Sequence, residues 1–438
     1  MAYVRLCLLL WAAAIFSPSA RADFDVTAIQ TYVSARPRPM EIKSTAQVKT
    51  NMLELTVNWY GLPKTDGTGG ALVSAGNILI VIRPKGEVLW ADVKGSNGFY
   101  KTKIAVPMNL AELEASGIVK EASLDLGWFR VAGAYGEPID KGLRLFVTHH
   151  VFEDRCFFLQ VSTIDLTFRP TSGVRPISDW KPIFKPKPCV HIGDASAKPF
   201  AGHQSGGRIV RFDDNYLLVS YGDHEIDGYD NRGAIAPQDR ASPYGKIWKI
   251  AKDGSSSSLY ALGLRNPQGL LAARDGRIWE SEHGPQGGDE LNLMVEGANY
   301  GWPFQTLGVA SEDYVWTPNP IQGDHSDPRY RSPQFAWVPS IATSNLAQVT
   351  GTRFPLWQSD LLLATLANRS VHRLRLVEDR VILDERIKIG ERLRDIVFLA
   401  DGRFALLGDK PLLAIVDNLG TPLKVEPQPE SDAGIGRP

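Results

Sequence analysis

The sequence predicts an all-β fold of the β-propeller type, and three observations support this prediction. The 438-residue chain contains 40 glycines, 29 prolines and 11 tryptophans, a composition typical of many turns and short strands. A run of β-forming residues, a polar turn and a second run rich in branched and aromatic residues recur along the chain. So many hairpins fit the antiparallel blades of a propeller around a central channel, whereas a sandwich rarely needs this number.

Four copies of this pattern predict hairpins. They lie at residues 71–93, 207–223, 269–284 and 395–409. The turns Asp275-Gly276 and Asp401-Gly402 are strong hairpin signals because glycine adopts a positive φ without steric cost. The spacing between the copies is uneven, so periodicity alone does not give the number of blades.

Residues 97–180 depart from the hairpin pattern. Apolar positions over residues 108–122 predict one amphipathic helix, and the apolar runs that follow predict two strands around Glu153-Asp154-Arg155. Residues 170–199 are rich in proline and lysine, which predicts a loop or a crossover between blades. The polar tail, residues 425–438, is predicted to be disordered.

The N-terminal residues have the pattern of an export signal. Arg5 opens a short basic start, residues 6–16 form an apolar run, and Ala20-Arg21-Ala22 supplies the small residues that precede a cleavage site. We therefore expect residues 1–22 to be removed and the protein to be periplasmic or secreted; an uncleaved anchor is the alternative. No later segment approaches about 18 uninterrupted apolar residues, so no membrane span is expected in the mature chain.

Charge and cysteine content narrow the partners and the compartment. The 48 lysines and arginines nearly balance the 49 aspartates and glutamates, so charge gives no argument for nucleic acid or an anionic membrane. A small neutral partner fits better. Beyond the signal, Cys156 and Cys189 are compatible with one disulfide in an oxidising compartment, although the sequence does not show that they meet.

Residues 263–303 have the composition of a binding site. Arg265, Asn266 and Gln268 offer a fixed charge and two amides immediately before a predicted short strand, RIWESE. Beyond it, the glycines and proline of HGPQGG oppose regular structure and leave backbone carbonyls able to face an ion. The alternative interpretation is a turn that the Asn-Pro dipeptide begins without any function.

The stretch from LRNPQGL through EHGP to NYGWP resembles the soluble sugar dehydrogenases that use pyrroloquinoline quinone, the glucose/sorbosone dehydrogenase family. The resemblance implies a six-bladed β-propeller over residues 23–424, with a small helical insertion in the early blades. Residues 23–180 are divergent and residues 181–424 are family-like. The implied activity is oxidation of the anomeric hydroxyl of an aldose sugar to a lactone, by hydride transfer to calcium-bound pyrroloquinoline quinone, with an unidentified electron acceptor.

The same resemblance assigns a catalytic pair. His203 in GHQSGGR stands just before a predicted strand, where its imidazole can act as the base for the sugar hydroxyl. Asp223 ends the next strand, in SYGD, and is expected to hold the second ring nitrogen and stabilise the imidazolium. Gln204 is expected to contact the sugar. Apart from the resemblance, a lone loop histidine is more often a surface residue.

The resemblance also assigns the cofactor contacts. The quinone is planar and carries three carboxylates, so it needs several cationic or amide donors around its rim. This role falls to Arg265, Asn266 and Gln268, and to a second pair, Arg392 and Arg394 in ERLRDIV. Alternation places both arginines of the pair on one face of a strand. A charged edge strand is the alternative interpretation of the pair.

A calcium site is implied beside the quinone. The resemblance assigns Gly284 and Pro285 as backbone carbonyl ligands, and a cation there would stabilise negative charge that develops on the quinone. Neither His149-His150 nor Asp324-His325 has the partner spacing of a zinc site, so both are interpreted as solvated or packed residues.

One expected cofactor contact is absent. Where the family has a lysine after a strand of the next-to-last blade, this chain has Ala367, with Asn368 and Arg369 beside it. Loss of a charge-assisted contact of about 1.5–3 kcal/mol would weaken cofactor binding by one to two orders of magnitude unless Arg369 substitutes.

Two further hypotheses stay open. Ala367 and the divergent early blades are compatible with a non-catalytic propeller that binds a glycan or a protein. A calcium-dependent lactone hydrolase is also possible on such a fold, but it fits less well because the sequence offers an arginine-rich rim instead of a ring of side-chain carboxylates.

Overall fold

A computed structural model describes residues 38–39, 42–93, 98–169, 173–192, 202–228, 235–308 and 327–418. The predicted signal peptide, the polar tail and Asp324-His325 lie outside the described residues. Within them, the chain forms six antiparallel sheets, each a blade of one propeller. The all-β prediction and the six blades implied by the family resemblance are confirmed.

The first two blades use the early part of the chain. Blade 1 contains β1 (Arg38–Pro39), β4 (Ala71–Ala75), β5 (Ile78–Ile82), β6 (Glu87–Asp92) and β7 (Gly98–Ala105). Blade 2 contains β8 (Val131–Ile139), β9 (Gly142–Glu153), β10 (Cys156–Arg169), β11 (Gly173–Pro176), β12 (Lys181–Phe184) and β13 (Val190–His191). In blade 2 the long strand β10 pairs on its outer side with β11, β12 and β13 in turn, so three short strands together take the outermost place.

Blades 3 to 5 are regular four-stranded sheets. Blade 3 contains β14 (Gly206–Arg211), β15 (Tyr216–Tyr221), β16 (Lys246–Ala251) and β17 (Ser257–Leu262). Blade 4 contains β18 (Pro267–Ala272), β19 (Ile278–Glu282), β20 (Asp289–Met294) and β21 (Phe335–Trp337). Blade 5 contains β22 (Thr343–Gln348), β23 (Leu361–Thr365), β24 (Ser370–Val377) and β25 (Arg380–Lys388).

Blade 6 joins early and late strands of the chain and closes the ring. It contains β26 (Leu393–Phe398), β27 (Phe404–Gly408) and β28 (Leu412–Asn418), followed by the early strands β3 (Glu54–Gly61) and β2 (Ile42–Lys49). Strand β28 pairs antiparallel with β3, and Val416 lies opposite Val57. This pairing replaces two sheet edges with a continuous ladder, which protects backbone groups that would otherwise be exposed.

The innermost strands position the candidate site. Strands β4, β8, β14, β18, β22 and β26 pack in this order around the axis, and β26 returns to β4. The residues that directly precede them meet at one end of the channel, which we call the channel mouth. In chain order these residues are Gly70, Arg130, Ser205, Asn266, Ala342 and Arg392.

Apolar side chains between neighbouring blades form the core. Between blades 4 and 5, Trp279, Leu291, Leu361 and Leu363 are at most 1% exposed. Complete burial of one such leucine side chain contributes about 1.5–3 kcal/mol to stability. Because every blade buries both of its faces in this way, the ends of the innermost strands are held on a rigid scaffold.

The predicted hairpins are confirmed, and their turns have the expected backbone. Gly276 and Gly402 both have a φ of +86°, and the two strands predicted around Glu153-Asp154-Arg155 are β9 and β10. Cys156 and Cys189 form a disulfide, which links β10 to the segment that precedes β13.

The single helix predicted over residues 108–122 is wrong. The segment forms two short helices, α1 (Leu110–Ala115) and α2 (Ile118–Glu121), with Gly117 between them at a φ of +78°. A left-handed residue ends one helix and cannot continue into the next, so the apolar periodicity spans a break. None of the helices in the described residues is long and apolar enough to cross a membrane.

Candidate active site

Blades 3 and 4 meet at the channel mouth around a buried aspartate. Asp223 follows β15, and its backbone N–H donates to the carbonyl of Arg265 at 2.8 Å. The Asp223 side chain is completely buried. One carboxylate oxygen accepts from the indole Nε1 of Trp302 at 2.7 Å, and the other accepts from the backbone N–H of Glu225 at 2.9 Å.

Gln204 links this aspartate to Arg265. The orientation of its amide that satisfies both neighbours has the nitrogen donating to Asp223 Oδ1 at 2.7 Å and the oxygen accepting from Arg265 Nη2 at 3.0 Å. The guanidinium of Arg265 also lies over the Trp302 ring, 5.4 Å from its centroid. Four of the side chains at this point therefore form one connected network.

The charge of Asp223 is set by opposing effects. Burial raises the pKa of Asp223 well above its ordinary value, and nearby Asp227 raises it further. Arg265 and the hydrogen bonds from Glu225 and Trp302 favour the carboxylate and lower the pKa. Burial is the largest of these effects, so the pKa of Asp223 is raised overall.

His203 lies beside this network, but its partner differs from the prediction. Its Nδ1 is 3.4 Å from a carboxylate oxygen of Glu225, not from Asp223, and the side chain is 42% exposed. The backbone explains the difference. The Gln204 carbonyl packs so closely against Gly222 that a Cβ on this glycine would lie 1.9 Å from it. This contact brings Gln204, rather than His203, to Asp223.

Arg392 and Arg394 lie on one face, as the alternation predicts. Nε of Arg392 donates to Asp409 Oδ2 at 2.8 Å, and Arg394 donates to both oxygens of the same carboxylate. Although burial raises the pKa of Asp409, the two guanidinium groups hold it below its ordinary value. Arg394 is 7% exposed and Arg392 is exposed, so the pair extends from the interior to the surface.

The two predicted amides are buried and bonded to each other. The Gln268 amide donates to Asn266 Oδ1 at 2.7 Å. The backbone N–H groups of Arg265 and Asn266 both donate to Glu282 Oε2, which fixes the start of β18. The local backbone is thus held by a buried carboxylate, and a cofactor-binding role for Asn266 and Gln268 stays a prediction.

The loop predicted to bind calcium turns carbonyl groups towards positive charge. Nη1 of Arg265 donates to the Gly284 carbonyl at 2.9 Å and to the His283 carbonyl at 3.3 Å. Pro285 packs against Gly308, where a Cβ would lie 2.7 Å from the proline Cδ. Carbonyl oxygen is a ligand that Ca²⁺ prefers, so the donor chemistry fits the ion, which would compete with Arg265 for the Gly284 carbonyl.

A cluster of buried carboxylates lies behind this loop. The Asn292 amide donates to Glu280 at 3.1 Å and to Glu290 at 3.3 Å, and lies 3.5 Å from Glu282. Burial, reinforced by mutual repulsion, raises the pKa of Glu280 and Glu282 well above the ordinary value, and burial raises that of Glu290 to about 7. Together with the Gly284 carbonyl, these oxygens concentrate hydrogen-bond acceptors on the blade 4 side of the mouth.

Blade 2 supplies two residues that the sequence reasoning missed. Arg130 directly precedes β8 and is 4% exposed. Its guanidinium carbon lies 4.8 Å from the Trp128 ring centroid, and the same indole packs edge-on against His203 with ring centroids 4.4 Å apart. An arginine just before an innermost strand, as with Arg265 and Arg392, is the signal that could have identified Arg130.

Two more missed residues are Arg208 and Trp302. Arg208 crosses the channel from blade 3: Nε donates to the Gln268 carbonyl at 2.7 Å, Nη2 donates to the Arg394 carbonyl, and Nη1 lies 3.3 Å from Asp395. It is a tie between blades. Trp302 lies in the NYGWP stretch, in which no reacting group was predicted.

The remaining positions are Ala367, whose backbone N–H donates to the Ile341 carbonyl at 3.1 Å near the start of β22, and the His149-His150 dipeptide of β9. Ala367 follows β23 and is exposed, and Asn368 beside it is hydrogen-bonded to Thr365 and His372. His149 and its neighbour His150 are fully buried, as one of the two interpretations of this dipeptide predicted.

A cleft of about 860 Å³ lies between blades 1 and 2, away from the candidate site. Trp90, Thr102, Ile164, Val174 and Trp180 are among its lining residues. None of the predicted site residues lines this cleft. The convergence of the arginines, Asp223 and His203 therefore identifies the channel mouth, rather than the cleft, as the candidate active site.

Comparison with known proteins gives a family. Residues 189–416 match the family model described as Glucose / Sorbosone dehydrogenase. Over 256 residues the chain is 36% identical to an uncharacterized protein of Synechocystis, and the match covers 53% of this chain and 58% of that protein. The chain thus matches little more than half the length of this relative.

Two further similarities concern sugar dehydrogenases. Over 276 residues the chain is 28% identical to an aldose sugar dehydrogenase of Escherichia coli, covering 59% of this chain and 67% of that protein. The structure of the PQQ-bound form of an aldose sugar dehydrogenase from Streptomyces coelicolor is similar with a TM-score of 0.57 and 18% identity, covering 87% of this chain and 99% of that chain. At this identity the structural similarity indicates the fold alone.

Proposed function

We propose that this chain, which belongs to the glucose/sorbosone dehydrogenase family, oxidises the anomeric hydroxyl of an aldose sugar to a lactone with calcium-bound pyrroloquinoline quinone. The observation that carries the proposal is the convergence of His203, Asp223, Arg265 and Arg394 at one end of the propeller channel. Membership of the family supports a sugar dehydrogenase. The lactone product, the quinone, the calcium ion and an exported location belong to the proposal.

The donor set suits the quinone. A planar molecule with three carboxylates requires cationic and amide donors that converge from several directions, and arginines reach the mouth from blades 2, 4 and 6. When bound, the quinone would supply the acceptor for the hydride that leaves the anomeric carbon. Arg265 and the two arginines of blade 6 would hold the quinone, and the carbonyl groups of Gly284 and Pro285 would hold the calcium ion.

His203 is the proposed base. Its Nδ1 faces Glu225 at 3.4 Å, which leaves Nε2 to accept the proton of the sugar hydroxyl. Glu225 would stabilise the resulting imidazolium, and Trp128 would restrict the orientation of the ring. Asp223 would act indirectly. It is hydrogen-bonded to Gln204 and Trp302, and these two side chains position Arg265. Gln204 is the proposed sugar contact.

The direct test is reconstitution of the purified protein with the quinone and Ca²⁺. We expect sugar-dependent dye reduction by at least one member of an aldose panel, lost when either the quinone or Ca²⁺ is omitted. Lactone formed in the same reaction would establish the anomeric carbon as the site of oxidation. Absence of both quinone binding by absorbance spectroscopy and dye reduction would contradict the proposal.

Two observations favour a second candidate, a non-catalytic propeller that binds a glycan. The Arg392 and Arg394 pair already has a carboxylate partner in Asp409, and Ala367 offers no charge. This candidate predicts carbohydrate binding by calorimetry without dye reduction in the reconstituted protein. A lactone assay without quinone tests the hydrolase hypothesis in the same samples.

A further inference from the structure

Arg130 is a buried cation without a carboxylate partner among the described residues. Its side chain is 4% exposed. Nη1 donates to the hydroxyl of Thr68 at 3.2 Å, and the buried Nε has no acceptor in the part of the chain that the structure describes. Burial of a guanidinium without a counter-ion costs several kcal/mol, so such a group is rare unless a ligand completes it.

The surroundings of Arg130 add positive charge. Burial lowers the pKa of Arg130, and the nearby guanidinium groups of Arg394 and Arg208 lower it further, to about 9 overall. Asp409 is the acid that acts in the opposite direction, and it is already shared by Arg392 and Arg394. The channel mouth between blades 2 and 6 therefore carries an excess of positive charge, which attracts an anion.

Arg208 shows that burial alone does not explain Arg130. The two arginines are buried to a similar extent, 5% and 4% exposed, and both lie next to the channel axis. Arg208 bonds to two carbonyl groups and lies beside the carboxylate of Asp395, so it is used to tie blades together. Among the described residues, the Arg130 guanidinium makes no comparable set of hydrogen bonds between blades.

The protein nevertheless fixes Arg130 in place. Its backbone carbonyl accepts from the N–H of His150 at 3.1 Å. A Cβ on Gly69 would lie 2.9 Å from the Arg130 Cδ, so the glycine-rich loop before β4 packs directly on the side chain. Trp128 covers another side, and it separates the guanidinium from His203. A cation held in this way needs little reorganisation to bind an anion.

We propose that Arg130 is a further carboxylate-binding residue of the channel mouth and that, beside Arg394, it binds one carboxylate of the anionic cofactor. This inference rests on the proposed function, since it takes the quinone as the cofactor. Arg130 would then supply, from a different blade, the cation that is absent at Ala367. The ligand chemistry is an aromatic carboxylate, whether the quinone or a redox-inert analogue.

Affinity measurements on variants test this proposal. Dissociation constants would be measured by quenching of tryptophan fluorescence with two probes, the quinone with Ca²⁺ and redox-inert pyridine-2,4,6-tricarboxylate. We expect Arg130→Met to weaken binding of both probes by about 10- to 100-fold, because a charge-assisted hydrogen bond is lost. Arg130→Lys should recover part of the loss. Arg369→Met, which removes the exposed cation beside Ala367, should bind as the wild type does.

Thermal unfolding without any probe separates a binding role from a structural one. Since the described residues place no counter-ion against this buried guanidinium, Arg130→Met should melt at or above the wild-type temperature. A lower melting temperature with unchanged affinity for both probes would overturn the proposal. So would a loss of affinity in Arg369→Met that Arg130→Met does not share.

The two probes distinguish this inference from the proposed function. If the wild type binds the tricarboxylate through Arg130 but neither binds nor uses the quinone, the proposed function fails and the carboxylate site stands. If the quinone is bound and reduced equally well in wild type and Arg130→Met, the proposed function stands and the Arg130 assignment fails. Binding of neither probe by the wild type would contradict both.

Discussion

The two sides of the channel mouth use their charged residues differently. On the side of blades 3 to 6, which contains most of the family match, the charged groups are already paired: Arg208 with Asp395, Arg394 with Asp409, and Gln204 between Asp223 and Arg265. On the side of blade 2, which lies largely outside the match, Arg130 is buried without an ion-pair partner among the described residues.

This difference shows that a blade does not have to match the family model in sequence to contribute a charged residue to the channel mouth. Arg130, Arg265 and Arg392 all stand one or two residues before an innermost strand, although the surrounding sequences differ. The ring brings these positions together whatever motif surrounds them. A divergent blade can therefore supply a charge that the family-like blades lack.

The largest expected effect comes from removing the proposed base on the family-like side. We expect His203→Asn to lower kcat by about 10²- to 10⁴-fold, because the sugar hydroxyl loses its proton acceptor. Steady-state dye reduction measures this change, and quinone titration should give an unchanged affinity. Trp128→Phe, which keeps an aromatic ring beside the histidine, is the control and should lose less than tenfold. A variant that keeps more than a tenth of wild-type kcat would exclude His203 as the base.

Arg208 and Arg130 sharpen the contrast between a paired and an unpaired arginine. Arg208→Met should destabilise the protein by about 3–5 kcal/mol, because Asp395 loses its buried cation and two carbonyl groups lose a donor. Urea unfolding at neutral pH measures the difference, with Arg208→Lys as the partly compensating control. If Arg208→Met and Arg130→Met have the same free energy of unfolding, the paired and the unpaired arginine do not differ in their structural role.

The buried histidines make the blade 2 side sensitive to acid. Burial lowers the pKa of His149 to about 4, whereas the unfolded chain has a value near 6.5. Below about pH 6.5 the unfolded state binds more protons, so stability should fall as the pH decreases towards 4, by up to about 3 kcal/mol from this residue. Burial lowers the pKa of His150 in the same direction.

Unfolding at pH 7 and at pH 4 checks this expectation. His149 is hydrogen-bonded to Ser162 at 2.9 Å, and His149→Gln keeps a polar group there without a titrating ring. The variant should lose less stability between the two pH values than the wild type does. An identical loss in both proteins would show that His149 is not part of the acid sensitivity.

The smallest expected effect concerns the partner of the proposed base. Glu225 lies 3.4 Å from the His203 ring and both side chains are partly exposed, so the charge interaction is screened. Glu225→Gln should lower kcat/KM by about two- to fivefold at low salt, and the gap should narrow at 0.5 M salt. If Glu225→Gln keeps the wild-type kcat/KM at low salt, Glu225 does not stabilise the imidazolium of His203.

Local sequence patterns predicted much of the fold and part of the site. The hairpins follow from alternating strands and turn glycines such as Gly276 and Gly402, which depend on neighbouring residues alone. The shared face of Arg392 and Arg394 follows from the two-residue period of a strand. The helix over residues 108–122 was predicted as one piece because apolar periodicity does not detect the left-handed Gly117.

The sequence by itself determined the strands, their turns, the family and the residue types at the site. Only the tertiary structure decided which of these residues meet. Glu225 rather than Asp223 lies beside His203, and Arg130 joins the mouth from a blade without a recognisable motif. The physical reason is that these contacts join the ends of strands in different blades, and ring closure through β3 and β28 fixes their distances.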